Sequence, residues 1–228
     1  MKAMILAAGR GERMRPLTDT LPKALITPGG KPLIVRHIEK LVGAGMTEIV
    51  INHAHLGGLI EAALGDGRRF GAQIRYSRET EALETAGGIA NALRLLGDAP
   101  FAVVNADVFS DFDYAGLRGA ADRLAGKLLA HLVLVPNPQH HCEGDFALHD
   151  GRVALTGARA TFSGIAAYDP ALFKSLVPGS KAALGMLLRE EIAGGRVSGE
   201  LYTGRWRDIG TPQRLASLER ELAAQQAC

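Results

Sequence analysis

The strongest limit on how this chain folds is a rhythm. Strand-like runs at Lys2–Leu6, Glu48–Asn52, Ala72–Ser77, Phe101–Asn105 and Leu128–Val135 alternate with helical patterns at Leu33–Ala44, Leu56–Leu64, Ala90–Leu96 and Tyr114–Leu124. Most of the strand-like runs are apolar throughout, as in F-A-V-V-N, rather than at every second residue. Strands of that kind are buried on both faces, as in a parallel sheet covered by helices on both sides. The predicted fold is therefore α/β, with a Rossmann-like, mixed but mostly parallel sheet. The helix containing Ala90–Leu96 is expected to start near Gly87.

After Pro136 the rhythm changes. Phe146–His149 and Arg152–Leu155 flank Asp150-Gly151, a two-residue hairpin signal. Thr161–Tyr168, Val197–Leu201 and Arg205–Ile209 read as further strands. Pro170 opens a helix, Lys181–Ala193 is another, and Thr211 to about Gln225 is the last. A single domain over residues 1–228 is predicted, with an α/β half at 1–135 and a smaller β-rich half at 136–228.

Charge narrows the choice of partner. The 228 residues are 47% apolar and 22% charged with a net charge of +2, so neither nucleic acid nor a membrane is called for. No apolar run approaches the roughly 18 residues of a membrane span. Met-Lys-Ala-Met leads straight into the first strand, which leaves no room for a signal peptide. Cys142 and Cys228 lack C-x-x-C spacing, which suits a reducing, cytoplasmic setting. With no heptad pattern, a monomer or weak homodimer is expected.

Chemistry concentrates at Met4–Leu25, M-I-L-A-A-G-R-G-E-R-M-R-P-L-T-D-T-L-P-K-A-L. The apolar run at Met4–Ala8 ends in Gly9 and Gly11, where missing Cβ atoms let a ligand reach backbone N–H groups. Arg13, Arg15 and Lys23 place positive charge beside them. This arrangement predicts a phosphate cradle at the carboxyl end of the first strand. It is not a Walker A loop, because no G-K-[ST] follows. Nor is it a dinucleotide fingerprint, because Met14 stands where the third glycine belongs.

Two carboxylates follow strands elsewhere: Asp107 in V-V-N-A-D-V-F and Asp208 in W-R-D-I-G-T-P. Carboxylates at strand ends face the ligand crevice of an open sheet, and two could hold one Mg²⁺ that also takes phosphate oxygens. Each could instead cap a turn. His53-x-His55 and His140-His141-Cys142 tempt a zinc reading, but neither shows three or four converging ligands, so histidines that bond substrate or backbone are expected. Trp206 reads as core, and Arg207 as pointing away from Asp208.

The string L-x-x-G-x-G-x-R-x-x-P-x-T-x(4)-P-K, with both aspartates in order, resembles the sugar-phosphate nucleotidyltransferases. That resemblance implies an enzyme that binds a nucleoside triphosphate and a sugar 1-phosphate, with Mg²⁺ on Asp107 and Asp208. It implies a nucleotide site around Ala8, Gly9, Gly11, Glu12 and Asn105, and catalytic roles for Arg13, Lys23 and Asp107. Leu83 and the Glu84–Ile89 loop, including Gly88, would face the nucleobase. Residues 1–135 become the nucleotide half and 136–228 the sugar half, where Gly144, Asp145, Ser163, Gly164 and Glu200 are the expected substrate contacts.

Two departures stand out. Ala106 occupies a place where the family commonly has glycine, and a lysine usual near Asp145 is missing. Within the family, N52-H-A-H-L-G57, H140-H-x-x-G-D-F146, T161-F-S-G-I165 and G195-R-V-S-G-E200 resemble the short bacterial N-acetylmuramate-1-phosphate uridylyltransferases of cell-wall recycling. The resemblance therefore implies UTP and N-acetylmuramate 1-phosphate as substrates. A guanylyl- or uridylyltransferase for mannose- or glucose-1-phosphate is the alternative. A non-catalytic nucleotide sensor and a nicotinamide-dependent oxidoreductase rank lower, since Lys23 and both aspartates are present and the glycine fingerprint is incomplete.

Overall fold

The computed structural model describes every residue except 125, 227 and 228. Cys228, and the last residues of a tail read as fraying, therefore lie outside the described residues. The first half forms β1 (Ala3–Leu6), α1 (Leu33–Gly43), β2 (Glu48–His53), α2 (Gly57–Leu64), β3 (Gln73–Arg78), α3 (Glu84–Leu96), β4 (Phe101–Asn105), β5 (Val108–Ser110), α4 (Ala115–Asp122) and β6 (Ala130–Val135). The second half adds β7 (Phe146–His149), β8 (Arg152–Ala154), β9 (Arg159–Tyr168), α5 (Leu184–Ala193), β10 (Val197–Leu201), β11 (Trp206–Asp208) and α6 (Pro212–Gln226).

The large sheet runs β3-β2-β1-β4-β9-β6-β10-β8-β7, with β7 also bonded to β9. β1 to β4 are mutually parallel, and β6 is parallel to β10. β9 runs antiparallel between β4 and β6, so a strand of the second half sits at the centre of the sheet. Successive residues of the central strands serve opposite faces. Ala3, Ile5, Ala102 and Val104 pack with Ile34, Ile38 and Leu41 of α1, whereas Met4, Phe101 and Val103 pack with Ile89 of α3 and Leu188 of α5. That double burial is why these strands read as unbroken apolar runs.

Two elements differ from the sequence expectation in ways that shape the site. β5 is only three residues long and immediately follows Asp107, so it is unreadable as a separate strand; it pairs with β11 to make a small antiparallel ribbon. Helix α3 starts at Glu84 rather than near Gly87, with Glu84 at φ 61°. Gly87 and Gly88 therefore sit inside its first two turns. Their value there is space, since a Cβ on Gly87 would lie 2.3 Å from the Ser180 carbonyl oxygen. Tertiary packing outweighs the roughly 1 kcal/mol that each glycine costs a helix. The stretch opened by Pro170 is a short 3-10 turn, Pro170–Phe173.

β9 bulges where it passes β6. Val133 faces Ile165 and Leu134 faces Phe162, leaving Ser163 and Gly164 unmatched. The Ser163 hydroxyl donates to the Val133 carbonyl (2.6 Å) and accepts from the Ile165 N–H (3.1 Å), filling the gap in the ladder. Bulges of this kind re-aim backbone beside functional sites, and this one presses Gly164 against the Asn105 side chain at the end of β4.

One buried titratable pair underlies the site. His37 of α1 is 2% exposed, and its Nδ1 lies 2.7 Å from the Tyr114 hydroxyl. Burial pushes the His37 pKa down to about 4. A histidine whose folded pKa lies below its unfolded value stabilises fully above the unfolded pKa, near 6.5, and loses that stability as pH falls toward the folded one. The unfolding free energy should therefore fall by up to about 3 kcal/mol between pH 6.5 and pH 4 through this group. Urea titrations of the wild type and His37→Leu across that window check it: the variant should show the shallower slope, and parallel slopes would exclude His37 as the source.

Candidate active site

The end of β1 opens into a cavity of about 590 Å³ whose wall includes Ala8, Gly9, Gly11, Glu12, Arg13, Lys23, Asn105 and Asp107. Seven of the nine residues expected at the nucleotide, and Asp107, expected as a catalytic metal ligand, thus line one cavity. Gly11 is held at φ 70°, and its carbonyl accepts the Thr18 hydroxyl (2.8 Å) and the Met14 N–H (2.8 Å). A Cβ at Gly11 would come within 3.1 Å of Thr18 and 3.4 Å of Lys23, so only glycine suits this turn. A Cβ at Gly9 would meet nothing within 4 Å, so that stretch of backbone faces open space. Arg13 is exposed on the wall. Arg15, expected to add a third cation, instead pairs with Asp19 one helical turn on (2.8 Å) and lies off the wall.

The backbones at Asp107 and Asp208 come together at the β5–β11 ribbon, while their carboxylates line different cavities: Asp107 the first, and Asp208 one that it shares with His140, Trp206 and Arg214. Asp208 stands opposite Val108, and the Ile209 N–H donates to the Asp107 carbonyl (2.8 Å). Each carboxylate is neutralised by a basic side chain: Lys23 pairs with Asp107, and Arg214 of α6 with Asp208. His140 adds a second contact to Asp208 at 3.0 Å. Carboxylates are donors that Mg²⁺ takes, commonly one or two of them with waters and substrate phosphates filling its shell, and Asp107 is the one on the wall of the first cavity. Among the described residues there is no group of three or more His, Cys, Asp or Glu placed to hold a metal. The paired histidines serve carboxylates instead: His140 faces Asp208, and His141 faces Asp145 at 3.1 Å.

Behind the cavity lies a polar network that the sequence does not announce. The Ala7 N–H donates to Asn52 Oδ1 (3.0 Å), the Asn52 amide donates to Glu79 Oε1 (2.7 Å), and Glu79 Oε2 accepts the Leu83 N–H (3.0 Å). Glu79 is 8% exposed. Burial pushes its carboxyl above the usual range, while the Asn52 and Leu83 donors partly hold it down. The network joins the cradle to the start of α3. Leu83 and Gly88, expected at the nucleobase, lie in this supporting layer and not in the cavity wall, which Ala82, Glu84 and Thr85 provide. Gly88 leaves room for the network, since a Cβ there would fall 2.7 Å from Asn52 Nδ2 and 2.8 Å from Glu79 Oε1.

A second cavity of about 350 Å³ shares Leu6, Glu84, Thr85 and Asn105 with the first and continues toward the second half. Asp145 and Gly164 are on its wall, as expected of sugar contacts. Asp145 is committed to structure, accepting the Phe162 N–H (2.8 Å). Gly144, Ser163 and Glu200 are not on the wall: Gly144 packs against Asn137 and Ala160, Ser163 fills the bulge, and Glu200 faces His131 at 3.3 Å. Trp206 is core, 8% exposed, with its indole N–H on the Ser163 carbonyl (2.9 Å). Arg207 turns to Glu221 (3.2 Å).

A family model described as nucleotidyl transferase matches residues 2–143. The chain belongs to that family. An N-acetylmuramate alpha-1-phosphate uridylyltransferase of Neisseria meningitidis serogroup B is 54% identical, over 94% of this chain and 95% of that protein. A mannose-1-phosphate guanyltransferase of Gibberella zeae is 44% identical, over 51% of this chain and 33% of its own length. Among solved structures, one assigned as a glucose-1-phosphate thymidylyltransferase from Bacillus anthracis, in complex with a sucrose, superposes with a TM-score of 0.85 at 22% identity, covering 97% of this chain and 95% of that one. This last likeness speaks to fold, and it extends over both halves of the nucleotidyltransferase.

The supporting network yields a direct test. Gly88→Ala must displace Asn52, which lines the cavity, or Glu79 behind it, while Gly88 itself is not on the wall. Weakening one or two hydrogen bonds of this kind, each worth about 0.5–1.5 kcal/mol net, should raise the KM for the nucleoside triphosphate roughly 3- to 10-fold. An unchanged KM in a normally folded variant would show that the network does not position the nucleotide.

Proposed function

We propose that this nucleotidyltransferase moves the uridylyl group of UTP onto N-acetylmuramate 1-phosphate, releasing pyrophosphate, in cytoplasmic recycling of cell-wall peptidoglycan. The observation that carries the reading is the 54% identity to the Neisseria enzyme, sustained over 94% of this chain. The guanyltransferase match covers 51% of the chain and so speaks less to the sugar. No helix among the described residues is long and apolar enough to cross a membrane. The large exposed apolar side chains Leu17, Leu59, Val177, Met186 and Leu201 fall in separate segments, in keeping with a monomer or weak homodimer.

The chemistry is one displacement. A phosphate oxygen of the sugar phosphate attacks the α-phosphorus of UTP. The bond to the bridging oxygen of the β-phosphate breaks, and pyrophosphate leaves with the electron pair. The attacking phosphate has a second pKa of about 6, is largely dianionic at pH 7 and needs no general base. The barrier lies in pressing anions together, so charge neutralisation and alignment must lower it.

The glycine-lined turn at Gly9–Gly11 presents backbone beside the triphosphate. Arg13 and Lys23 face the phosphates and the departing pyrophosphate from the same wall. Asp107 and Asp208 are the residues that would hold Mg²⁺, which would supply further neutralisation of phosphate charge. Asn105 marks the passage between the two cavities, where the sugar's anomeric phosphate would lie.

Two measurements test this reading. Lys23→Ala should lower kcat roughly 100- to 1,000-fold in protein that remains folded, as loss of one preorganised donor does; near-normal turnover would remove Lys23 from the mechanism. A panel of UTP, CTP and GTP against N-acetylmuramate, mannose and glucose 1-phosphates, read as pyrophosphate release with and without Mg²⁺, should give its highest kcat/KM for UTP with N-acetylmuramate 1-phosphate. A preference for GTP with mannose 1-phosphate would replace the assignment.

A further inference from the structure

The second cavity contains a cation that the reaction described above does not use. Arg189 projects from α5 onto the cavity wall, its guanidinium carbon 5.7 Å from the centroid of the Phe146 ring. Its neighbour Leu188 is 1% exposed and anchors that turn of the helix in the core. Among the described residues Arg189 makes no ion pair. Asp145, on the same wall, has one oxygen on the Phe162 N–H (2.8 Å) and the other on His141 (3.1 Å). Glu84 stands at the mouth shared with the nucleotide cavity, whereas Arg189 belongs to the second cavity alone.

Two further features give this cavity an affinity for a polar, anionic group. Tyr168 forms part of its wall and is fully buried, and among the described residues its hydroxyl has no hydrogen-bond partner. An orphaned buried hydroxyl is costly unless something meets it. The wall also includes Leu184 and Gly185, at the start of the ten-residue α5, where free N–H groups carry partial positive charge. At about 350 Å³ the cavity lies at the small end of ligand pockets and suits one substituted sugar.

We infer that Arg189 is the specificity-determining residue for an acidic sugar, pairing with the lactyl carboxylate that distinguishes N-acetylmuramate from N-acetylglucosamine; the inference rests on the substrate reading above. Arg189 is exposed, and its guanidinium, within cation–π range of Phe146 on a mostly apolar wall, offers a planar fork for a carboxylate. A neutral sugar leaves that fork unpaired. Selection by charge at this position is independent of the phosphate chemistry at Lys23 and Asp107.

The test compares N-acetylmuramate 1-phosphate with N-acetylglucosamine 1-phosphate, which lacks only the lactyl ether, using UTP throughout. Arg189→Met keeps an apolar stem over Phe146 and removes the charge. It should lower kcat/KM for the muramate substrate roughly 10- to 100-fold, mainly through KM, as loss of a charged hydrogen bond does. Its kcat/KM for the glucosamine substrate and its melting temperature should stay near wild type, and Arg189→Lys should restore part of the discrimination. Equal losses on both substrates, or no loss on either, overturn the role of Arg189 while leaving the uridylyltransferase reading intact. A wild type that does not discriminate between the two sugars overturns both.

Discussion

The site depends on a balance of charge at the β5–β11 ribbon. Two carboxylates borne on neighbouring stretches of backbone each need a compensating charge, because like charges repel more strongly as the local dielectric falls. Here Lys23 compensates Asp107, and Arg214 with His140 compensates Asp208. These bases come from three different parts of the chain: the turn after the cradle, the final helix and the loop after β6. The ribbon therefore ties both ends of the chain to its middle. In the proposed reaction the same acids and bases would serve two anionic substrates, since bases that neutralise carboxylates can also face phosphate, and carboxylates can hold a divalent ion. A fold that stores its positive charge against its own acids can present it to phosphate while its net charge stays at +2.

Rigidity behind the cavity has a different source. Asn52 near the end of β2 and Glu79 just after β3 join the Ala7 and Leu83 backbones, and of these four residues Ala7 and Asn52 also line the cavity. Partners of a buried polar network are costly to lose singly, because each leaves a group unsatisfied. The Gly88 gap is the complement of that network. A nucleobase reading that relies on backbone atoms needs those atoms fixed, and this layer fixes them.

What could be read from the sequence followed the range of the interactions. β1, β2, β4 and β6 are legible because each carries its own signal, a run apolar on both faces. The cradle is legible because Gly9, Gly11, Arg13 and Lys23 lie within one short stretch. Arg15 was legible only as a cation, and its true partner, Asp19, lies four residues away on the same turn. β5 could not be seen because three residues after Asp107 carry no strand signal without β11, which arrives almost a hundred residues later. Glu79 and Arg214 likewise reveal themselves only once distant segments meet. The glycine pair in α3 misled in an informative way: Gly87 and Gly88 suggested a loop, yet they are small to admit Ser180 and the Asn52–Glu79 pair.

The absent lysine near Asp145 gains a physical meaning from these placements. Asp145 is not poised to share a substrate with a neighbouring base, since it braces the Phe162 backbone and faces His141. The wall of the second cavity is mainly apolar, with Phe146, Phe162 and Tyr168, and Arg189, its one cation among the described residues, lies outside the first cavity's wall. Under the proposed reaction, positive charge for the sugar's phosphate would come from Arg13 and Lys23, which line the first cavity. One set of bases would then face both reacting phosphates, and the two anions would have to enter the same small volume. The place where the cavities share their wall suits that demand, because there the Asn105 amide is laid against Gly164 in a strand that bulges at that point.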